Sequence, residues 1–492
     1  MKTIKLAQFI LIMTCLTLFA SYFYKIDSVP FVRLDDGELM QLSETFATHG
    51  YLGSEMMDTG HNEHLYYHVH PPFYYLVNGL VFKLAGVGVT QSRLVSLVSA
   101  LAIILLTFLL AGQMLKLPLS RNNFLLLAAF FLSTPLFFVL ARSNRPEMLT
   151  LLLALSAILT YSNYQKTRKI IFSMFSGLLA GLALTTQAYA AFVILFLVFS
   201  QYLDRQKNWR LIGLFLVAFA LPLTIYLAWI FRDLPSFYYQ TVIIRQAADK
   251  LNLVALLSRY RAFFSSLESI VTTICFFASV TLALFLKQKN QDRSTALFPE
   301  RLLLGILCFL AIFLLIPVLN KYYYVVLLPF IYLFFVYTLN KYRHWAFVAL
   351  FCLYFLTNLL GLAFFWQKYH DFDYPAYGRR IIAQLPAPGS FSVLASPSLY
   401  PALRSYQFYA FNNGSIVKPD QTYQGFKRRI EQLGIKYIVV QEYNDKLYAG
   451  LAYLNRFLKN DCHLIAKVQD PYYGSEGVKR NNYIKIYSVV IR

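Results

Sequence analysis

Apolar runs of nearly 20 residues recur along the chain from Lys5 to Trp366. A run of that length crosses the hydrocarbon core of a bilayer as a helix. Hydrophobic residues make up 58% of the 492 positions and charged residues only 14%, where a soluble chain carries about a quarter charged residues. An ordinary cytosolic enzyme is therefore excluded. The reading is a polytopic α-helical membrane domain over residues 1–366, followed by a smaller C-terminal domain over residues 367–492.

Eleven spans are predicted, near 5–24, 93–113, 123–141, 146–162, 170–185, 188–203, 211–231, 263–286, 301–318, 322–339 and 345–366. Lys and Arg in the short loops set the orientation. Lys116 with Arg121, Lys166 with Arg168 and Lys169, and Lys341 with Arg343 fall in alternate loops. This alternation holds when the N-terminus is cytoplasmic and the C-terminal domain lies outside. The run 72–86 is too short for a span and carries Lys83, so it reads as an interfacial or re-entrant helix started by Pro71-Pro72. The net charge of +21 then belongs to cationic loops facing anionic lipid; no nucleic-acid motif accompanies it. Four of the five cysteines lie in apolar runs and only Cys462 lies in the tail, which excludes a disulfide framework or a cysteine metal site.

The external loop, 25–92, inverts this composition. Between Lys25 and His70 it holds eight acids and five of the eight histidines. Leu34-Asp35-Asp36-Gly37-Glu38 opens an amphipathic helix whose Leu39, Leu42 and Phe46 share one face. Asp35 and Glu38 also have capping-box spacing, so helix capping competes with a carboxylate base at the membrane boundary as the role of these acids. His61, His64, His68 and His70, with Asp58 or Glu63, offer imidazole and carboxylate to a divalent metal; the alternative is a loop of hydrogen-bonded surface histidines.

Further along, Arg142-Ser143-Asn144-Arg145-Pro146-Glu147 sits at an external helix junction. Its arginines either form an internal ion-pair cluster or meet a phosphate or the acidic turn. Arg245 and Arg259 lie in the external stretch 232–262, and Lys321 stands before Tyr322-Tyr323-Tyr324. Arg grips phosphate bidentately, whereas snorkelling to lipid headgroups is the plainer use. In the tail, short apolar runs near 392–396, 435–441, 464–468 and 483–490 alternate with helical patterns at 423–433 and 446–459. They predict a small α/β domain with a largely parallel sheet.

The order of these elements resembles a known family. An external acidic pair follows the first span, His-Pro-Pro precedes a short helix, and Ser92-Arg93-Leu94 opens the next span. Arg145-Pro146-Glu147, Gly181-Leu182-Ala183, and Lys321 with Tyr324 and Leu328-Pro329 come after. Together they resemble the membrane-embedded GT-C glycosyltransferases of the protein mannosyltransferase and aminoarabinose transferase kind. The resemblance implies a polyprenyl-phosphate sugar donor used on the outer face of the membrane, with Asp35 as catalytic base and Asp36 at a position that is often Glu. It also points to a bacterial inner membrane.

The residues agree with such chemistry. No nucleotide fingerprint is present, and a lipid-phosphate donor needs none. Its leaving group is an anion that cations stabilise. The expectation is an inverting glycosyltransferase moving a monosaccharide to a glycolipid or protein acceptor. Asp35 and Asp36 are its catalytic acids. Arg142, Arg145, Arg245, Arg259 and Lys321 hold the donor phosphate, and Glu38, His70, Glu147 and Tyr324 line the substrate site. The rivals are a transporter or flippase of a lipid-linked sugar and a ligase transferring whole oligosaccharides.

Overall fold

A computed structural model describes residues 2–56, 62–203, 209–243, 266–289, 300–315, 321–389, 391–411, 416, 421–441, 451–469 and 483–490. The membrane part begins with α1 (Lys2–Ser21), α2 (Leu34–His49), α3 (Phe73–Ala85), α4 (Val89–Met114), α5 (Arg121–Ser133) and α6 (Pro135–Ala141). It continues with α7 (Glu147–Thr167), α8 (Ile170–Leu184), α9 (Ala191–Leu203) and α10 (Trp209–Ile230). Helices Leu267–Lys289, Glu300–Leu315, Leu328–Tyr342 and Trp345–Tyr369 complete it. Among the described residues five helices are long and apolar enough to cross a membrane, and five shorter apolar helices accompany them. Each predicted span falls on a helix, and the short run predicted to be interfacial is α3.

One predicted span is bent. Residues 123–141 form α5 and α6, which meet at 78°. Pro135 disfavours a helical conformation at the preceding residue, and Thr134 is extended (φ −76°, ψ 114°). Elsewhere small residues let helices approach closely. A Cβ on Gly177 or Gly181 of α8 would meet the carbonyl oxygens of Phe215 and Phe219 of α10 at 2.3 and 2.5 Å.

The tail carries β1 (Ser392–Ala395), β2 (Gln407–Ala410), β3 (Ile435–Gln441), β4 (Cys462–Gln469) and β5 (Tyr483–Val489) in the order β2-β1-β3-β5-β4. The β1–β2 and β1–β3 pairs are parallel, while β3–β5 and β4–β5 are antiparallel. The sheet is therefore mixed rather than largely parallel, because the last two strands return as a hairpin-like pair. β2 was not among the predicted strands.

The tail does not hang free. Phe31, Met40 and Met56 share a core with Phe372, Tyr377, Val393 and Phe408. A second seam is polar: Tyr400 and Arg404 donate to the two carboxylate oxygens of Glu44 on α2 at 2.9 and 3.1 Å. Where α2 passes the 3₁₀ turn Pro397–Leu399, only glycine fits, since a Cβ on Gly37 would lie 1.8 Å from the Pro397 oxygen.

Candidate functional site

α2 starts at the acidic pair, and its first turn separates the two acids. Asp36 points inward and is 2% exposed. Its Oδ2 accepts the Arg33 amide at 3.0 Å, so it satisfies one of the free donors at the helix start. Burial pushes its carboxyl above the usual value, against the opposing pull of Arg93 and of the Arg33 amide. Asp35, one position earlier, keeps 56% of its side chain exposed and accepts Nη1 of Arg145 at 2.6 Å. Its surroundings strip water and push its carboxyl up, yet the charge and hydrogen bond of Arg145, with His70 and Arg33, outweigh this and hold it below the ordinary value.

The junction between α6 and α7 assembles the site. Arg145 Nε and Nη2 grip the fully buried Glu147 at 2.9–3.2 Å. The Asn144 amide donates to the Asp36 carbonyl at 2.9 Å, and its oxygen accepts the Tyr74 hydroxyl at 2.7 Å and the Asn78 amide at 3.0 Å. Ser96 of α4 donates to the Arg145 carbonyl at 2.9 Å. One loop thus ties α2, α3 and α4 together and aims Arg145 at Asp35. The internal ion-pair cluster and the contact with the acidic turn, set out above as alternatives, are both realised in this one arginine.

Arg142 is used otherwise. It is fully buried, donates to the carbonyls of Ser21 and Tyr24 at 2.9 and 2.5 Å, and lies over the rings of Phe138 and Trp366. It closes the end of α1, which corrects its assignment to the donor phosphate.

Tyr322, between the expected Lys321 and Tyr324, reaches the arginines. Its ring lies 4.5 Å from the Arg145 guanidinium and 5.1 Å from that of Arg33. Tyr324, the expected member of the site, is 2% exposed and bonds Thr273 at 3.0 Å within the helix bundle. Lys321 opens the 3₁₀ stretch Lys321–Leu327, with only its backbone described. Arg245 and Arg259 lie outside the described residues.

Arg33 is a cation that the sequence reading did not weigh. Among the described residues no carboxylate lies within ion-pair distance of it or of Lys368, and the two cations sense each other. Glu38 accepts the Tyr67 hydroxyl, whose proton is held well above its usual range by burial and by that carboxylate.

The three described histidines of the predicted metal set do not converge. His61 lies outside the described residues. His68 is 1% exposed, packs 4.3 Å from Trp229, and burial pushes it down to about 4. His70 stands near Asp35, while His64 lines a separate cavity. Among the described residues no group of three His, Cys, Asp or Glu is placed to hold a metal ion, so His64, His68 and His70 do not form one together.

That separate cavity, of about 350 Å³, lies between α2, the external loop and the tail. Gln41, Glu55, His64, Tyr400, Arg404 and Tyr409 line it. Gln41 is six residues past Asp35, about 9 Å along the helix and a third of a turn around it.

Comparison with known proteins agrees with this architecture. Residues 69–231 match the family described as dolichyl-phosphate-mannose-protein mannosyltransferase. No curated protein sequence matches the chain. ArnT from Cupriavidus metallidurans bound to undecaprenyl phosphate superposes with a TM-score of 0.66 at 13% identity, covering 97% of each chain. Its apo form gives 0.64 at 13% identity over 98% of each chain. The oligosaccharyltransferase of Archaeoglobus fulgidus, in complex with Zn and sulfate, gives 0.54 at 13% identity over 96% of this chain and 72% of that one. The chain is an integral membrane protein with the GT-C glycosyltransferase fold.

Proposed function

We propose that this protein transfers a monosaccharide from a polyprenyl-phosphate donor to an acceptor hydroxyl, with inversion at the anomeric carbon and with Asp35 as base. The observation that carries the reading is the solvent-reachable Asp35 carboxylate, held ionised by Arg145 with Arg33 nearby, Arg33 in turn sensing the cation Lys368. A base must be ionised and within hydrogen-bond reach of the proton it takes. The acceptor oxygen attacks the anomeric carbon and its proton passes to Asp35. The bond from that carbon to the phosphate oxygen breaks with its electron pair, and the lipid leaves as a phosphate anion. That anion needs no proton, so one carboxylate suffices.

Arg33 and Lys368 supply charge to the leaving phosphate, which cations in a water-poor site stabilise strongly. The Tyr322 ring takes both the Arg33 and the Arg145 guanidinium against it, and Arg145 remains bonded to Asp35 and Glu147. The family match and the likeness to an ArnT structure bound to undecaprenyl phosphate support the donor class. The polar, aromatic cavity beside Gln41 suits the acceptor's headgroup, since aromatic faces and convergent polar groups are what such pockets offer. The site and tail face the outside of a bacterial inner membrane in this reading.

The test is mass spectrometry of envelope glycolipids and glycoproteins from cells with and without the protein. Loss of one sugar substituent on removal is expected, and an unchanged envelope with an altered lipid-linked sugar pool would favour a flippase. Orientation is checked separately: external thiol labelling should reach Gln407→Cys and leave Lys116→Cys unlabelled.

A further inference from the structure

The far end of the bundle holds a second cavity, unconnected with the chemistry above. It measures about 420 Å³ and lies between α1, α5 and the helices Leu328–Tyr342 and Trp345–Tyr369. α5 begins there at Arg121 and runs through the bend and α6 towards the Arg145 junction, so the cavity and Asp35 lie at opposite ends.

Its lining is graded. Asn122, Asn123, Asn340 and Arg343 form one end, and Ala129, Phe130 and Phe355 the other. From Asn122 to Phe130 the depth is about 12 Å along α5. The asparagines are already engaged: Asn340 donates to Asn123 at 3.0 Å, and Asn122 accepts from Gln8 at 3.1 Å. Arg343 is exposed, and among the described residues no carboxylate pairs with it. The two segments framing the mouth, 115–123 and 339–348, carry Lys116, Arg121, Lys341 and Arg343 and no acid. Trp345, 74% exposed, stands beside it, as indoles do at headgroup level.

We infer that this slot is a binding site for one anionic phospholipid, its acyl chain against Phe130 and Phe355 and its phosphate at Arg343. Charge complementarity selects the anionic headgroup, because basic pockets between membrane helices attract such groups. The apolar depth selects an amphiphile over a free phosphate. The site is a lipid anchor at the end of the bundle away from the reaction.

Native mass spectrometry of the full-length protein in detergent tests this, with phosphatidylglycerol and phosphatidylcholine added in turn. One phosphatidylglycerol should be retained and phosphatidylcholine lost. Arg343→Ala should weaken retention about fivefold, the worth of one surface cation. Cys352→Phe, which fills the slot at an exposed position, should weaken it at least as much with the charge intact. Thermal unfolding identifies a variant that has merely misfolded, and the other variant then decides. Equal retention of both lipids, or retention untouched by both variants, overturns the site. Displacement by added undecaprenyl phosphate would also overturn it, by giving the slot to a polyprenyl lipid.

Discussion

Asp35 Oδ2 accepts Nη1 of Arg145 at 2.6 Å, across 110 residues of chain. The other edge of the same guanidinium is locked to Glu147. A buried arginine between two carboxylates cannot swing to a third partner without leaving a buried charge unpaired. Its effect on Asp35 is therefore fixed in the resting protein: it holds the carboxylate ionised and points it.

The pH dependence follows from that fixed cation. The folded Asp35 value lies below the ordinary one. Its stabilising contribution is thus full above the unfolded value of about 4 and is lost as pH falls through the depressed folded value. An acid limb of transfer belonging to Asp35 lies below about pH 4. Arg145→Gln alone should cost about 3–5 kcal/mol, because Glu147 is left buried and unpaired. Paired with Glu147→Gln, it should recover folding. The double variant then leaves the upward push of burial on Asp35 opposed only by His70 and Arg33, and kcat/KM measured against pH should show the acid limb moved upward. A limb that stays in place would assign it to another group.

Arg33 and Tyr322 make a graded pair. Arg33→Gln should remove about 2–4 kcal/mol of transition-state stabilisation if its charge meets the leaving phosphate. Tyr322→Phe keeps the ring over both guanidinium groups and should transfer as wild type. Tyr322→Ala should lose about 0.5–2 kcal/mol. Single-turnover rates with saturating donor measure all three, and wild-type turnover by Arg33→Gln would place the phosphate elsewhere.

Gly37 couples the tail to the site. Any side chain there meets the Pro397 carbonyl, and overpacking of this kind costs about 1–3 kcal/mol. Gly37→Ala should lower the unfolding temperature and speed proteolytic release of the tail. A protease pattern like that of wild type would mean that the seam yields without strain.

The sequence made some of this legible and hid the rest for physical reasons. Spans were readable because lipid demands uninterrupted apolar runs, and α2 because Leu39, Leu42 and Phe46 repeat on one helical face. Asp35, Arg145 and Glu147 stood out as charges at membrane depth. Arg142 and Arg145 look alike in sequence, yet one closes α1 and the other faces Asp35; only the 78° bend and the turn after α6 decide which. Tyr322 and Tyr324 differ by the phase of a 3₁₀ stretch, which no apolar periodicity revealed. β2 has four residues, too few to show alternation, and the pairing of β5 between β3 and β4 is a long-range choice.

The most direct measurement is sugar transfer by purified Asp35→Asn with donor supplied, beside Asp36→Asn. Asp35→Asn keeps an acceptor oxygen for Arg145 at a half-exposed position, and Asn caps a helix about as well as Asp at position 36, so each substitution removes an acid and spares the fold. The account predicts normal expression and thermal stability for Asp35→Asn, with transfer reduced about a hundredfold or more, and a smaller loss for Asp36→Asn. Near-normal transfer by Asp35→Asn would contradict it, and collapse of Asp36→Asn alone would move the base one residue on.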